Sequence, residues 1–101
     1  MFLGIDIGTS GVKAVLMSPT GEIVETSHAP LSVSRPHPGW SEQDPAAWWK
    51  ATQDAVAKLT AARRDQVQGI GLSGQMHGAT LLDANGTPLR PAILWNDGRS
   101  E

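Results

Sequence analysis

The start of this chain alternates short apolar runs with turns too short to do anything but reverse direction. Residues 2–7 (Phe-Leu-Gly-Ile-Asp-Ile) read as a buried strand. Gly8-Thr9-Ser10-Gly11 is a turn by composition, and Val12 to Met17 then runs apolar over strand length. Ser18-Pro19-Thr20-Gly21 is a second turn, followed by a strand from about Glu22 to Thr26 that the pattern allows to reach Leu31. Parallel neighbours need a crossover of about a dozen residues, so these short links predict an antiparallel meander.

Pro36 and Pro38 exclude regular helix from residues 32–43, which read as loop. Asp44-Pro45 then predicts a helix start. Asp accepts from the orphan amides as N-cap, and Pro at the first helical position loses no hydrogen bond. The helix is expected to run to about Arg63, with Trp48, Thr52, Ala55, Val56, Leu59 and Ala62 on one face. Arg63-Arg64 at its end suit the negative pole of the helix dipole. Trp48 and Trp49 read as core anchors, whereas Trp40 in its Pro-rich loop is undecided. Val67 to Ser73 reads as a strand, with the loop 74–78 at its carboxyl end. Thr80–Leu82 and Leu89–Leu94 read as short strands flanking the turn Asp83-Ala84-Asn85-Gly86. The predicted fold class is α/β: β-β-β-α-β plus a small hairpin, a mixed sheet with a helix on one face.

Composition narrows the function. Eight Lys+Arg against ten Asp+Glu give a net charge of −2, with no basic excess to hold a phosphate backbone, so nucleic acid is not an expected partner. The chain has 0 cysteines, which rules out disulfides and thiolate metal sites. His28, His37 and His77 show no ligand spacing. No apolar run approaches the ~20 residues that span a bilayer, so no membrane role is expected. The N-terminus lacks the basic start and long apolar run of a signal peptide.

Three motifs carry candidate chemistry. In Gly4-Ile-Asp6-Ile-Gly8-Thr9-Ser10-Gly11-Val-Lys13, an acid at a strand end meets a Gly-rich, hydroxyl-bearing turn. Glycines let backbone amides approach phosphate, Thr9 and Ser10 add hydroxyl donors, and Lys13 adds charge. Asp6 would repel phosphate but could hold Mg2+, usually through water. The spacing fits neither a P-loop nor a dinucleotide-binding turn. An ordinary tight hairpin with a solvated Asp fits the composition equally well. In Gly74-Gln75-Met76-His77-Gly78, Gln75 and His77 suit polyhydroxylated ligands. Taken alone, that segment reads more simply as a packed Met beside a lone loop His. Trp95-Asn96-Asp97-Gly98-Arg99 offers an aromatic to stack on a sugar or cap the core, and a local Asp97–Arg99 salt bridge.

Together, and in this order, these motifs and the segment Ser34-Arg-Pro-His-Pro-Gly-Trp-Ser-Glu-Gln-Asp-Pro45 resemble the N-terminal region of the FGGY carbohydrate kinases, within them the bacterial xylulose kinase branch. The opening motif marks only the wider superfamily; Gln-Met-His-Gly followed by Trp-Asn-Asp-Gly-Arg is the more specific pair. The resemblance implies part of a ribonuclease H-like (actin/Hsp70/hexokinase-type) ATPase domain, with residues 1–101 an incomplete N-terminal kinase domain lacking the second lobe. It implies a cytoplasmic enzyme that uses ATP and Mg2+ to phosphorylate D-xylulose to D-xylulose 5-phosphate.

By the same resemblance, Asp6 matches the acid near magnesium and the transferred phosphoryl group. Gly8, Thr9, Ser10 and Gly11 match the phosphate-contacting hairpin, and Lys13 a basic position near the nucleotide phosphates. Met76 and His77 match the pair that contacts the sugar. Gln75, Trp95, Asn96, Asp97 and Arg99 fall in segments lining or supporting the sugar cleft. The family's catalytic base, an aspartate from a later segment, has no counterpart here, so this chain alone is expected to be inactive. A non-catalytic sugar- or nucleotide-binding module is the alternative. An incomplete domain is also expected to expose apolar surface and to self-associate.

Overall fold

The computed structural model describes residues 1–100. β1 (Phe2–Ile7), β2 (Gly11–Met17) and β3 (Ile23–Pro30) form the predicted meander. After a loop come the two-residue β4 (Glu42–Gln43), α1 (Pro45–Ala57), α2 (Ala61–Arg64), β5 (Gly69–Gly74) and β6 (Ala92–Ile93). The main sheet has the order β3-β2-β1-β5, with β5 parallel to β1. β4 and β6 pair antiparallel beside it.

The alternation of β1 and β2 decides which face is covered. Leu3, Ile5, Val12, Ala14 and Leu16 point to one side and are buried with Ala29 of β3 under Ala51, Ala55 and Leu59 of the helical layer. Leu16 is 0% exposed. Each fully buried leucine is worth roughly 1.5–3 kcal/mol relative to an exposed one. The alanines on both surfaces let the helix lie close to the sheet. Phe2, Gly4, Asp6, Lys13 and Met17 take the other face and are exposed.

α1 starts as predicted: the Asp44 carboxylate accepts from the Ala46 amide at 3.0 Å, with Pro45 at the first position. It does not run to Arg63. Thr60 is extended (φ −59°, ψ 125°), and its amide donates to the Glu25 carboxylate at 3.1 Å. That backbone bond, first among the causes, holds the Glu25 carboxyl below its usual pKa. The long-range contact breaks the helix, and Arg63 pairs with Glu25 at 3.3 Å from the separate turn α2.

Two further expectations are corrected. Trp49 is 66% exposed rather than a core anchor. It sits on the flank of α1 facing β5, where Ile5, Ile7, Pro45, Trp48, Thr52, Ile70 and Leu72 complete an open apolar hollow. The strands expected at 80–82 and 89–94 shrink to β6 and isolated bridges, Ala79 to Ile93 and Leu82 to Pro88. Pro88 and Pro91 have no amide to give, so a continuous ladder cannot form. The turn between them is present: the Asp83 carboxylate accepts from Asn85 N and Thr87 N, and Gly86 takes φ +80°.

The radius of gyration is 15.7 Å, against about 13 Å for a compact chain of ~100 residues. Among the described residues no helix is long and apolar enough to cross a membrane.

Gly11 is fixed by packing. A Cβ there would lie 2.2 Å from His28 Nε2 and 2.7 Å from the Ala29 carbonyl oxygen. Gly11→Ala should therefore lower stability by roughly 1–3 kcal/mol in urea unfolding. Adding His28→Ala should recover only part of it, because the second obstacle is backbone. Full recovery would show that the His28 ring alone sets the requirement.

Candidate functional site

The parallel pairing of β1 with β5 sets Ile7 opposite Gly74, so the turns that follow these strands emerge side by side. Between them lies an open cleft of about 370 Å³ lined by Asp6, Gly8, Thr9, Gly74, Gln75, Met76 and Trp95. That is within the range of small-molecule sites. Residues from all three sequence motifs meet here.

The cleft wall is hydrogen-bonded in series. The Trp95 indole donates to Thr9 Oγ1 at 3.1 Å, and Thr9 Oγ1 donates to Gln75 Oε1 at 3.2 Å. Gln75 Nε2 donates to Gln43 Oε1 at 2.9 Å. Gln43 Nε2 in turn donates to the Thr9 carbonyl at 2.6 Å, and the Trp48 indole donates to Gln43 Oε1 at 2.9 Å. Trp95 keeps its ring exposed towards the cleft while its N–H is held. Met76 is exposed on the same rim. His77 adopts φ +56°, a left-handed conformation uncommon for a residue with a side chain. It is exposed beside the cleft but does not line it.

Asp6 stands at a junction. It also lines a second hollow, on the sheet face away from α1, with Gly4, Lys13, Val15, Gly71 and Ser73. Lys13 is its direct cross-strand partner, and Ser73 its neighbour on β5. Gly4 and Gly71 leave this hollow a bare floor, since a Cβ on either would touch nothing within 4 Å. The Gly8 amide closes the β1–β2 turn on the Gly11 carbonyl at 2.9 Å, and Ser10 is exposed at the turn with its carbonyl accepting from Leu31 N at 3.0 Å.

Asp97 and Arg99 do not reach the cleft. Their side chains form the local salt bridge, Arg99 Nη2 to Asp97 Oδ2 at 2.5 Å, and Arg99 also binds Glu42 at 2.8 Å. Asp97 Oδ2 accepts from Ser41 N at 2.6 Å, Arg90 binds Glu42 as well, and Arg99 stacks on the Trp40 ring at 3.7 Å. This cluster ties the segment after β6 to β4 and settles Trp40 as part of that joint. Asn96 is exposed at its edge. Sequence reasoning missed Gln43, which is 2% exposed, and Glu42. The available signal was their place next to the Asp44-Pro45 helix start, which fixes where the chain must enter the fold.

The Arg99 guanidinium, with the Ser41 and Arg99 amides, holds the Asp97 carboxyl well below the usual carboxylate range, and burial opposes this less strongly. A carboxyl depressed on folding stabilises fully above its unfolded pKa of ~3.9, and that stabilisation drains away as pH falls towards the folded value. Asp97→Asn should melt below wild type at pH 7. The gap should begin to close below about pH 4. A constant gap in melts from pH 7 to pH 3 would mean that charge is not what holds this joint.

Residues 1–101 match the FGGY family of carbohydrate kinases, N-terminal domain. The chain is 59% identical to a xylulose kinase of Klebsiella pneumoniae over 100 residues, covering 98% of this chain and 21% of that protein. A crystal structure of a "xyloylose kinase" from Brucella ovis superposes with a TM-score of 0.93 at 60% identity, over 98% of this chain and 21% of that one. A xylulose kinase structure from Rhodospirillum rubrum gives a TM-score of 0.90 at 37% identity, over 97% and 21%. The chain thus spans about a fifth of the length of these relatives. The fold is that of the sugar kinases with an actin/hexokinase-like architecture. By the whole-length match of its 101 residues, the chain belongs to the FGGY family of carbohydrate kinases.

Proposed function

We propose that this chain supplies the phosphate-binding and sugar-binding front of an ATP-dependent kinase that phosphorylates D-xylulose to D-xylulose 5-phosphate. The observation that carries the reading is the convergence of Asp6, Thr9, Gln75, Met76 and Trp95 on one cleft, from three separate stretches of sequence. The xylulose kinases at up to 60% identity support the substrate. Kinase relatives, among them a glycerol kinase structure with ADP, support ATP as phosphoryl donor.

Phosphoryl transfer demands alignment of an acceptor hydroxyl with the γ-phosphate and neutralisation of charge, with little covalent chemistry for the protein. Trp95 and Met76 give the sugar an apolar wall, with His77 beside it. Lys13 faces the hollow with the glycine floor, where it suits nucleotide phosphates, and Gly8 and Thr9 of the turn line the neighbouring cleft. Magnesium takes one or two carboxylates plus water and phosphate oxygens. Asp6 is the one carboxylate lining either hollow, so magnesium held there would keep most of its waters. Bound there, the ion would offset phosphate charge. By the family resemblance, the proton of the sugar hydroxyl falls to an aspartate outside residues 1–101.

In the full-length enzyme, Asp6→Asn should lower kcat roughly 100-fold with little change in the xylulose KM, the scale of losing one electrostatic group in a transition state. His77→Ala should raise the xylulose KM about tenfold and leave the ATP KM within about twofold. A coupled assay with D-xylulose reads both. Equal effects of the two substitutions on both parameters would sink these roles, and a full-length enzyme with no turnover of any sugar would sink the kinase reading.

A further inference from the structure

The last bond of the β4–β6 ladder is replaced by a side chain, and the replacement decides where Trp95 goes. Glu42 pairs with Ile93 and Gln43 with Ala92. The same register sets Ser41 opposite Leu94, and the Leu94 amide donates to the Ser41 carbonyl at 3.0 Å as the ladder requires. The reciprocal bond, from the Ser41 amide to the Leu94 carbonyl, is absent. The Leu94 carbonyl accepts instead from the Asp97 amide at 3.1 Å, which closes a turn with Trp95 at its second position. The Ser41 amide donates to Asp97 Oδ2 at 2.6 Å. A carboxylate thus stands in for a ladder carbonyl. The exchange lets the chain leave the strand at Leu94 and bring Trp95 to the cleft.

Every group that faces the Asp97 carboxylate is a donor. The Ser41 amide and Arg99 Nη2 meet Oδ2, and the Arg99 amide and Nε meet Oδ1, all at 2.5–2.9 Å. Arg99 is itself fixed by Glu42 Oε2 at 2.8 Å and by the Trp40 ring, 3.7 Å from its guanidinium. The Gly98 amide adds a bond to the Gly39 carbonyl at 2.7 Å. Both ends of the turn are therefore tied to residues 39–42. Trp95 lies between them with its ring 56% exposed and one side-chain hydrogen bond, from the indole to Thr9 Oγ1 at 3.1 Å. A ring with so little packing of its own takes its position from the backbone that carries it.

We propose that Asp97, clamped by Arg99, is a positioning residue for Trp95: it holds the turn that sets the indole as the stacking wall for the sugar. This rests on the sugar reading proposed above. Asp97 does not line the cleft. Its carboxylate reaches the flank of β4 as well as the turn, so the experiment has to separate those two routes. Asparagine is not a neutral replacement, because its NH2 would set a donor against donors whichever way it turned.

The test uses the full-length enzyme carrying this segment, with D-xylulose and ATP varied in a coupled assay. Asp97→Asn should raise the D-xylulose KM about tenfold, with the ATP KM and kcat within about threefold. In a Trp95→Ala background the same substitution should change the D-xylulose KM by less than about twofold, because the ring it positions is gone. An undiminished effect in that background means that Asp97 acts through β4, and overturns the proposal. A lower kcat with both KM values unchanged marks a smaller folded fraction and overturns it too. Should Asp97→Asn fold poorly, Arg99→Lys serves in the same cycle. Lysine keeps the charge but cannot span both oxygens of Asp97, so the split should recur at about threefold. A second readout needs no turnover. With the indoles labelled with ¹⁵N and assigned through single Trp→Phe variants, relaxation should show the Trp95 N–H more mobile in Asp97→Asn, with Trp48 and Trp49 unchanged. An equally rigid Trp95 overturns the proposal. Should the wild-type enzyme phosphorylate no polyol, the sugar reading fails, while the relaxation of Trp95 still decides whether Asp97 holds it.

Discussion

The site depends on one strand being paired on both sides in opposite senses. β1 runs antiparallel to β2 and parallel to β5. The first pairing puts a tight turn directly after β1. The second brings the carboxyl end of β5 to the same edge of the sheet, so that the loop 74–78 opens beside that turn. Ligands of open α/β sheets gather outside the carboxyl ends of parallel strands for this reason. Register matters as much as direction. A slip of one residue would turn Asp6 towards α1 and Leu3 or Ile5 into solvent. The buried row of Leu3, Ile5, Val12, Ala14 and Leu16 prevents that slip, so core packing is what aims the Asp6 carboxylate outward.

The rest of the cleft wall comes from chain with little regular structure. β4 and β6 are two residues each, too short to hold one another by ladder bonds. Buried charge does the holding instead. Glu42 binds both Arg90 and Arg99, and Asp97 binds Arg99 and the Ser41 amide. A cluster of this kind is a weak source of net stability, since desolvation offsets most of the attraction, but it is costly to break from one side. It suits a joint that must set Trp95 in one place relative to Thr9.

These two layers explain what could be read in the sequence. The meander was legible because period-two burial and short turns leave one solution, and the start of α1 because Asp44-Pro45 is a local signal. The end of α1 was not. Thr60 leaves the helix for Glu25, a residue 35 positions earlier, and no local pattern announces that bond. Trp49 misled because an apolar side chain on the flank of a helix reads the same whether or not a neighbour covers it. At the site, Asp6, Thr9, Gln75 and Trp95 were named from local chemistry and Met76 from the family resemblance, and all five are brought together. Asp97 and Arg99 were named both for the cleft and for a salt bridge, and only the salt bridge is seen in their contacts. Gln43 was invisible as a site residue, because a glutamine in a polar run before an N-cap looks like solvated loop until its long-range partners are known.

The glycines of the β1–β2 turn show how far composition alone can carry a functional reading. Gly11 is required by the His28 ring and the Ala29 carbonyl, and at Gly8 a Cβ would crowd the Gly11 carbonyl at 3.3 Å. Neither requirement involves a ligand. The features that do face open space divide between two hollows. Lys13 and the bare floor of Gly4 and Gly71 offer charge and close approach on one side, suited to phosphate. Gln75 and Trp95 offer an amide and an aromatic face on the other, suited to a sugar. Asp6 is the residue common to both. Phosphoryl transfer in the proposed reaction needs its two ligands to meet at one point. A carboxylate at the shared border, fixed in register by the strand it ends, marks where that meeting would occur.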